Sequence, residues 1–480
     1  MALTFLIRGD WSGGFSRSRA RSRPENRLKP RLRTWELEHK ILVLLLALSF
    51  IRGILYSAVI PPWQAPDEPD HFQYAALLVR YHRFPIKQDV AADEWLQTQV
   101  YASMQEFGFW ARRAHTLAPA ALEEEYRAAV GHPPLYYLLG AFLLAPFSHC
   151  DLITQLHILR LGSVLLGTLT VLVAYLAARA LFPEDASWQL AVPAFVAFLP
   201  MHTFITSSVN NDSLAELLAS LVIYSLLKIP KDSFSWRRVV GVACLLLLGV
   251  LTKRTTTFAI PLAALTIPLY CLRAKPLKSP LTSEASRCPL RWLGRLYVWL
   301  LIAITIGLGL WALTLQSPIS NLQSLSSILH LPSSIALSIL LTFASFWADF
   351  GWMNVPLNPG WYAALAVFSL LALCGLGLFA VRVRGTEALE TWQKKALLML
   401  LLAVVLIFAQ TFGLIIVRGI HQQGRYLFPA LVPLAVFFTL GLREWVPAGH
   451  RGLFPLALVL GMFVLDSVSL CCYIIPHFYG

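Results

Sequence analysis

The chain is predicted to fold as an all-α integral membrane protein, and three observations carry that expectation. Of its 480 residues 57% are hydrophobic and only 14% charged, with a mean hydropathy of +0.62, whereas a soluble domain holds about 25% charged residues. Apolar runs recur near 41–60, 158–181, 188–207, 213–229, 238–252, 256–272, 296–316, 360–381, 396–417, 426–442 and 452–475, and about 20 apolar residues cross the hydrocarbon of a bilayer. The basic residues are also segregated. If the weaker runs at 134–147 and 333–347 do not cross, 27 of the 39 Lys and Arg fall on the side of the N-terminal tail, as the positive-inside rule requires of the cytoplasmic side.

Eleven spans follow from that pruning, and thirteen if both weak runs cross, so a bundle of about 11 to 13 transmembrane helices is expected. Residues 1–40 form a basic cytoplasmic tail with Arg17, Arg19, Arg21 and Arg23 among its cations, and residues 41–480 the membrane domain. A cleaved signal peptide is not expected, because the first apolar run is too long and no small-residue cleavage site follows it. Arg52 lies inside this first run and must either snorkel or face the bundle. The net charge of +13 invites a nucleic-acid partner, yet the cations sit in the tail and short loops. That is membrane topology, and no nucleic acid is expected. The seven cysteines show no CxxC spacing, so neither a thiolate metal site nor a disulfide framework is implied.

The longest polar stretch, 61–152, holds eleven acidic and six basic residues and is the first outer loop. It opens with PPWQAPDEPDHFQY, which places Asp67, Glu68, Asp70 and His71 directly behind a span. Paired carboxylates at the mouth of a membrane protein suit removal of a proton from a hydroxyl acceptor; acids flanked by prolines are also common in plain loops and caps. Pro69 can start a helix to about His82, with Phe72, Ala75, Ala76 and Val79 on one face, and such a helix is expected to lie on the membrane surface. His71 would then point the same way as Asp67, one turn on. The segment GHPPLYYLLGAFLLAPF, containing His132, is short for a span and fits a re-entrant or interfacial element.

The same topology brings further polar clusters to the outer face. Asp212 follows Asn210 and Asn211 at the start of an apolar run, where an N-cap is the usual role and a ligand contact is compatible with it. Lys253 and Arg254 are either interfacial anchors or donors to a lipid phosphate. Arg418 to Tyr426, with Arg425, is either an ordinary hairpin or a phosphate site. Trp352 fits an aromatic belt. No P-loop, dinucleotide fingerprint or HExxH is present, so a soluble nucleotide donor has no cradle.

The strings PDEPDHFQYA, HPPLYYLL, NNDSLAELL, LTKRTTTFAIPLA, SFWADFGWMNVPL and GRYLFPALVPL, in this order, resemble a family of predicted bacterial polytopic membrane proteins. That family looks like a branch of the GT-C glycosyltransferase superfamily, which includes the protein O-mannosyltransferases and the lipid A aminoarabinose transferases. The resemblance covers roughly residues 40–443 and implies a GT-C-like bundle whose first outer loop carries interfacial helices. It implies a polyprenyl-phosphate sugar donor, a lipid, glycan or protein acceptor, and contact with membrane lipids.

By the same resemblance Asp67 and Glu68 would be catalytic. Asp212 would be the second outer-loop acid. On charge and topology, Lys253, Arg254, Arg418 and Arg425 are the candidates to bind the donor phosphate, and Asp70, His71, His132, Asn211, Asp212, Trp352 and Tyr426 are the further substrate-binding candidates of the outer face. No cofactor is fixed; a divalent metal stays open, since the loop has no DxD. A transporter or flippase of a lipid-linked saccharide is the alternative that would use the same cationic mouth.

The topology is directly testable. A cysteine introduced at Gln88 should be modified by an impermeant thiol reagent added from outside, and one at Ser283 should be spared. The reverse pattern would overturn the orientation.

Overall fold

The computed structural model describes residues 25–86, 88–89, 93–112, 129–229, 236–271, 331–384, 389–418 and 423–480. Helix α1 (Glu25–Val59) leads into α2 (Glu68–Tyr81) and α3 (Glu94–Glu106), followed by α4 (Leu135–Leu144) and the long α5 (Leu152–Leu181). Then come α6 (Ala186–Ala197), α7 (Pro200–Thr206), α8 (Asp212–Lys228), α9 (Trp236–Val250) and α10 (Ala259–Cys271). The last third holds α11 (Leu331–Trp347), a hairpin of β1 (Asp349–Phe350) and β2 (Val355–Pro356), α12 (Pro359–Arg384), α13 (Thr391–Arg418), α14 (Leu431–Glu444) and α15 (Phe454–Val468).

Among the described residues six helical segments are long and apolar enough to cross a membrane: His39–Val59, Leu152–Leu181, Pro359–Val383, Thr391–Gly413, Gly424–Glu444 and Ala448–Tyr479. A seventh is the pair α6 and α7, bent by 60°. The break has a local cause, because Pro200 removes a helical donor and disfavours helical geometry at Leu199, whose ψ is 113°. Among the described residues the expected eleven to thirteen spans are thus not confirmed. The apolar runs at 213–229, 238–252 and 256–272 fold as helices of 17, 15 and 13 residues, cut short by the Asn-Asn-Asp and Lys-Arg sequences that the site uses. The expected span at 296–316 and the loop at 273–295 lie outside the described residues. The weak runs form shorter apolar helices, Leu135–Phe147 and Leu337–Trp347.

Helix α2 departs from expectation more sharply. It does not lie on a surface: Glu68, Asp70, His71 and Gln73 are buried along with Phe72, Ala75, Leu77 and Leu78. Glu68 and His71 meet Arg160 and Tyr137, and the apolar side packs on α4, where Gly140 lets the backbone approach Ala75. Arg52 faces the bundle. Its Nε donates to Asp466 at 2.8 Å and its guanidinium also reaches Thr203 at 3.1 Å and the carbonyl of Ala197. The Tyr56 hydroxyl donates to the same carboxylate at 2.8 Å. This ties the first span, the broken span and the last span together, since a charge in an apolar interior must be paired.

The bundle has two chemically distinct ends. Helix α5 is 30 residues long, so its termini lie about 45 Å apart. Near its start, Arg160 meets the 57–68 segment. At its far end the Leu181 carbonyl accepts from Gln393, and Asp185 pairs with Arg443 at 2.7 Å. Segments assigned to one side by charge thus contact one another.

Helices α12 and α14 pack closely through small residues. A Cβ on Gly441 would collide with the Ala372 carbonyl, and one on Gly375 with the Gly441 carbonyl; such contacts are how membrane helices gain packing energy. Gly441→Val should lower stability by about 1–3 kcal/mol, the usual cost of overpacking, whereas Gly377→Val, with open space around its Cα, should be near neutral. Thermal unfolding in detergent checks the contrast.

Candidate functional site

The segment between α1 and α2 is a tight coil held from several directions. Trp63 has φ 70° and Asp67 φ 62°, left-handed values that non-glycine residues adopt only when their surroundings impose them. The Trp63 indole donates to Ser103 Oγ at 2.9 Å, and the Trp63 carbonyl accepts from the Trp352 indole at 3.0 Å. The Pro66 carbonyl accepts from Asn210 at 3.4 Å.

Glu68 is the anchor of this coil. Arg160 donates to it twice, at 2.8 and 2.6 Å, and the backbone N–H groups of Val209 and Trp63 donate at 3.0 Å each. Arg160 spends its other donors on the carbonyls of Ser57, Ile60 and Pro61. Both side chains have zero exposure. The sequence pairs Glu68 with Asp67 as a catalytic group; in the structure four donors meet its oxygens and it has no open surface.

Asp67 is the opposite case. It sits at the N-cap position of α2 but makes no side-chain cap bond; its carboxylate instead accepts from Arg425 at 2.5 Å and keeps 40% of its side-chain surface open. Arg425, almost wholly buried, also lies 3.6 Å from Asp212, and Asp212 accepts from Lys253 Nζ at 2.6 Å. Gln423 accepts from Arg425 Nε. The Tyr426 ring lies between the cations, 5.7 Å from the guanidinium and 6.0 Å from Lys253 Nζ, within reach of a cation–π contact. Two acids and two bases from four distant parts of the chain thus form one neutral quartet.

Burial works to raise the Asp67 carboxyl, but the charges of Arg425, His71 and Lys253 outweigh it and hold the group well below the usual carboxylate range. Burial lowers the Lys253 ammonium, with Asp212 acting in the other direction. The sequence suggests Asp212 as an N-cap; the structure puts Asn211 in that position, and Asn210 Oδ1 accepts from the Asp212 N–H at 2.9 Å. The Asp212 carboxylate is thereby released for the two cations.

Beside Asp67 lies a cluster centred on the Tyr137 hydroxyl. His71 Nδ1 is 2.8 Å from it, His132 Nδ1 3.1 Å, and Asn211 donates to it at 3.4 Å. Tyr74 stacks on the Tyr137 ring at 4.0 Å. Burial pushes the His71 imidazole well below its ordinary value, and lower still comes the effect of His132. Desolvation and the charge of Lys253 push His132 down to about 4 although its edge is exposed.

Against this geometry, a family model of a predicted membrane protein, DUF2142, matches residues 50–434. The chain belongs to the DUF2142 family. Comparison with curated proteins gives no match. Among solved structures, the Archaeoglobus fulgidus oligosaccharyltransferase, in complex with zinc and sulfate, is similar at 16% identity over 70% of this chain, with a TM-score of 0.40. The match covers 44% of that enzyme, and a likeness at this level does not extend to activity.

Of the residues singled out in the DUF2142 chain, Asp67, His71, His132, Asn211, Asp212, Lys253, Arg425 and Tyr426 form one continuous constellation. Arg254 is exposed near His132, which feels its charge. Asp70 is buried on α2. Trp352 reaches the coil as a hydrogen-bond donor, with its ring against Phe109 at 5.8 Å, and is not simply part of a belt. Arg418 ends α13, but its side chain lies outside the described residues. Sequence reasoning missed Arg160 and Tyr137, both inside apolar stretches. Among the described residues no group of three His, Cys, Asp or Glu side chains is placed to hold a metal.

Glu68→Gln should destabilise by about 3–5 kcal/mol, because Arg160 would remain buried without its counter-charge. Asp67→Asn should cost about 1 kcal/mol or less, since a partly open pair is weak and asparagine tolerates left-handed backbone. Chemical denaturation in detergent measures both, and equal losses would erase the distinction between anchor and open carboxylate.

Proposed function

We propose that this DUF2142 protein is a membrane glycosyltransferase of GT-C type that moves a sugar from a polyprenyl-phosphate carrier to a hydroxyl on a lipid, glycan or protein acceptor at the outer face of the membrane. The observation that carries this reading is the Asp67 carboxylate, open on one side and held on Arg425 beside Lys253 and Asp212. A carboxylate that can reach an acceptor hydroxyl, next to cations that can receive a leaving phosphate, is the minimum equipment for this transfer. A lipid-borne donor also agrees with the lack of a nucleotide motif, because it enters sideways from the bilayer.

In the proposed step the acceptor oxygen attacks the anomeric carbon as Asp67 takes its proton. The carbon–oxygen bond to phosphate breaks, and its electron pair leaves with the phosphate. Arg425 and Lys253 bind that phosphate, with exposed Arg254 at the rim, and Tyr426 holds the two cations in place. The resting Asp67 is a poor base because Arg425 stabilises its charge. A phosphate seated on Arg425 competes for the same N–H groups, so donor binding frees the carboxylate and raises its basicity. Glu68 and Arg160 position the coil and do not touch substrate.

Purified protein incubated with labelled polyprenyl-phosphate sugars and candidate acceptors tests this. Asp67→Asn should lower transfer by about two to four orders of magnitude while donor binding persists. Arg425→Lys, which keeps the charge but loses the planar fork, should weaken donor binding. Lipid translocation without covalent transfer, undiminished in Asp67→Asn, would establish the transporter reading instead.

A further inference from the structure

From the Tyr137 cluster we infer that His71, Tyr137 and His132 form a proton relay that carries the acceptor's proton from Asp67 to the solvent. The inference rests on the reading of Asp67 as the base and adds three side chains that act through it.

The argument begins with a hydrogen-bond inventory. A tyrosine hydroxyl has one proton to donate and two lone pairs to accept with. Tyr137 Oη is shared by His71 Nδ1 at 2.8 Å, His132 Nδ1 at 3.1 Å and the Asn211 amide at 3.4 Å. Its single proton can go to only one imidazole, so the other must present an N–H. The two histidines therefore hold opposite Nδ1 states across one hydroxyl, the arrangement through which a proton can hop. Asn211 fills the remaining lone pair.

The two ends of this chain differ in the required way. His71 is buried in the first turn of α2, close enough to Asp67 to feel its charge, whereas His132 has an exposed edge. The groups that face His71 are Asp67, His132, Lys253 and Arg425 by charge, and the rings of Tyr136 and Tyr137. The nearby cations and burial keep both imidazoles neutral at neutral pH, able to take up a proton and unable to keep it. The balance is simple. Protonated Asp67 gives its proton to His71 Nε2, and His71 gives its Nδ1 proton to Tyr137 Oη. Tyr137 passes its own proton to His132 Nδ1, and His132 loses its Nε2 proton to water. One proton enters, one leaves, and Asp67 returns to the carboxylate; the hop exchanges the tautomers of the two imidazoles, which return by proton exchange with water before the next turnover.

Tyr137→Phe tests the relay because it removes only the oxygen and keeps the ring that stacks on Tyr74. Turnover should fall by about ten- to a hundredfold with the KM for the donor unchanged, and raising the concentration of imidazole buffer should restore part of it. A merely structural hydroxyl would give no buffer rescue. In parental protein labelled with 15N-histidine, one of the two neutral rings should carry its proton on Nδ1 and the other on Nε2. Parental turnover in Tyr137→Phe without buffer dependence overturns the relay, as does finding both histidines in one tautomer. If Asp67→Asn abolishes transfer while Tyr137→Phe does not, the relay alone fails. If Asp67→Asn transfers at the parental rate, the base assignment fails and the relay falls with it.

Discussion

The Glu68–Arg160 pair is the constraint on which the site depends. Arg160 projects from the third turn of α5 and takes three carbonyls and a carboxylate from the chain as it leaves the first span. The carboxylate is in turn closed by the N–H groups of Trp63 and Val209. A buried pair of charges is costly unless every donor and acceptor is met, and here all are. What results is rigidity: with Glu68 fixed, Asp67 must occupy a left-handed conformation that turns its carboxylate away from the helix end and toward Arg425. The same Val209 contact brings the 207–212 loop against the coil, and with it Asp212 and Asn211.

Two kinds of ionic interaction divide the labour in this protein. Arg52–Asp466 and Arg160–Glu68 are dry, fully hydrogen-bonded and link helices far apart in sequence. Neither has an open face for a ligand. The quartet of Asp67, Arg425, Asp212 and Lys253 has one: its members are less completely satisfied, and Asp67 opens to the exterior. A closed carboxylate and an open one stand side by side in Glu68 and Asp67, which the sequence presents as a pair.

The constellation was legible because its members are ionisable residues at the ends of apolar runs, and charge segregation placed those ends on one side. Asp67, Asp212, Lys253 and Arg425 were all found in this way, from stretches hundreds of residues apart. Arg160 and Tyr137 were not legible, because a polar side chain within an apolar stretch reveals nothing of its partner until the helices are packed. Helix α2 was misplaced for a related reason. Its alternation of apolar and ionisable residues reads as a surface helix, but Glu68 and His71 on its polar side meet Arg160 and Tyr137. Asp212 is not the cap because Asn211 holds that position and Asn210 Oδ1 takes the Asp212 N–H. Among the described residues fewer helices than expected have the length of a span, and polar breaks lie at the ends of the short ones.

Electroneutrality explains why the proposed phosphate site should contain two carboxylates. Without a ligand, Arg425 and Lys253 would be two buried like charges, and their repulsion and desolvation would oppose folding. Asp67 and Asp212 remove that penalty, but they also compete with any phosphate. The competition is unequal. Asp212 is 1% exposed and bound to both cations, so it cannot leave without stranding its own charge. Asp67 has one cationic partner and an open face, so it can turn to water or to an acceptor hydroxyl at small cost. Displacement by an incoming phosphate therefore falls on Asp67 alone, and the residue displaced is the one that the proposed chemistry needs as a free base.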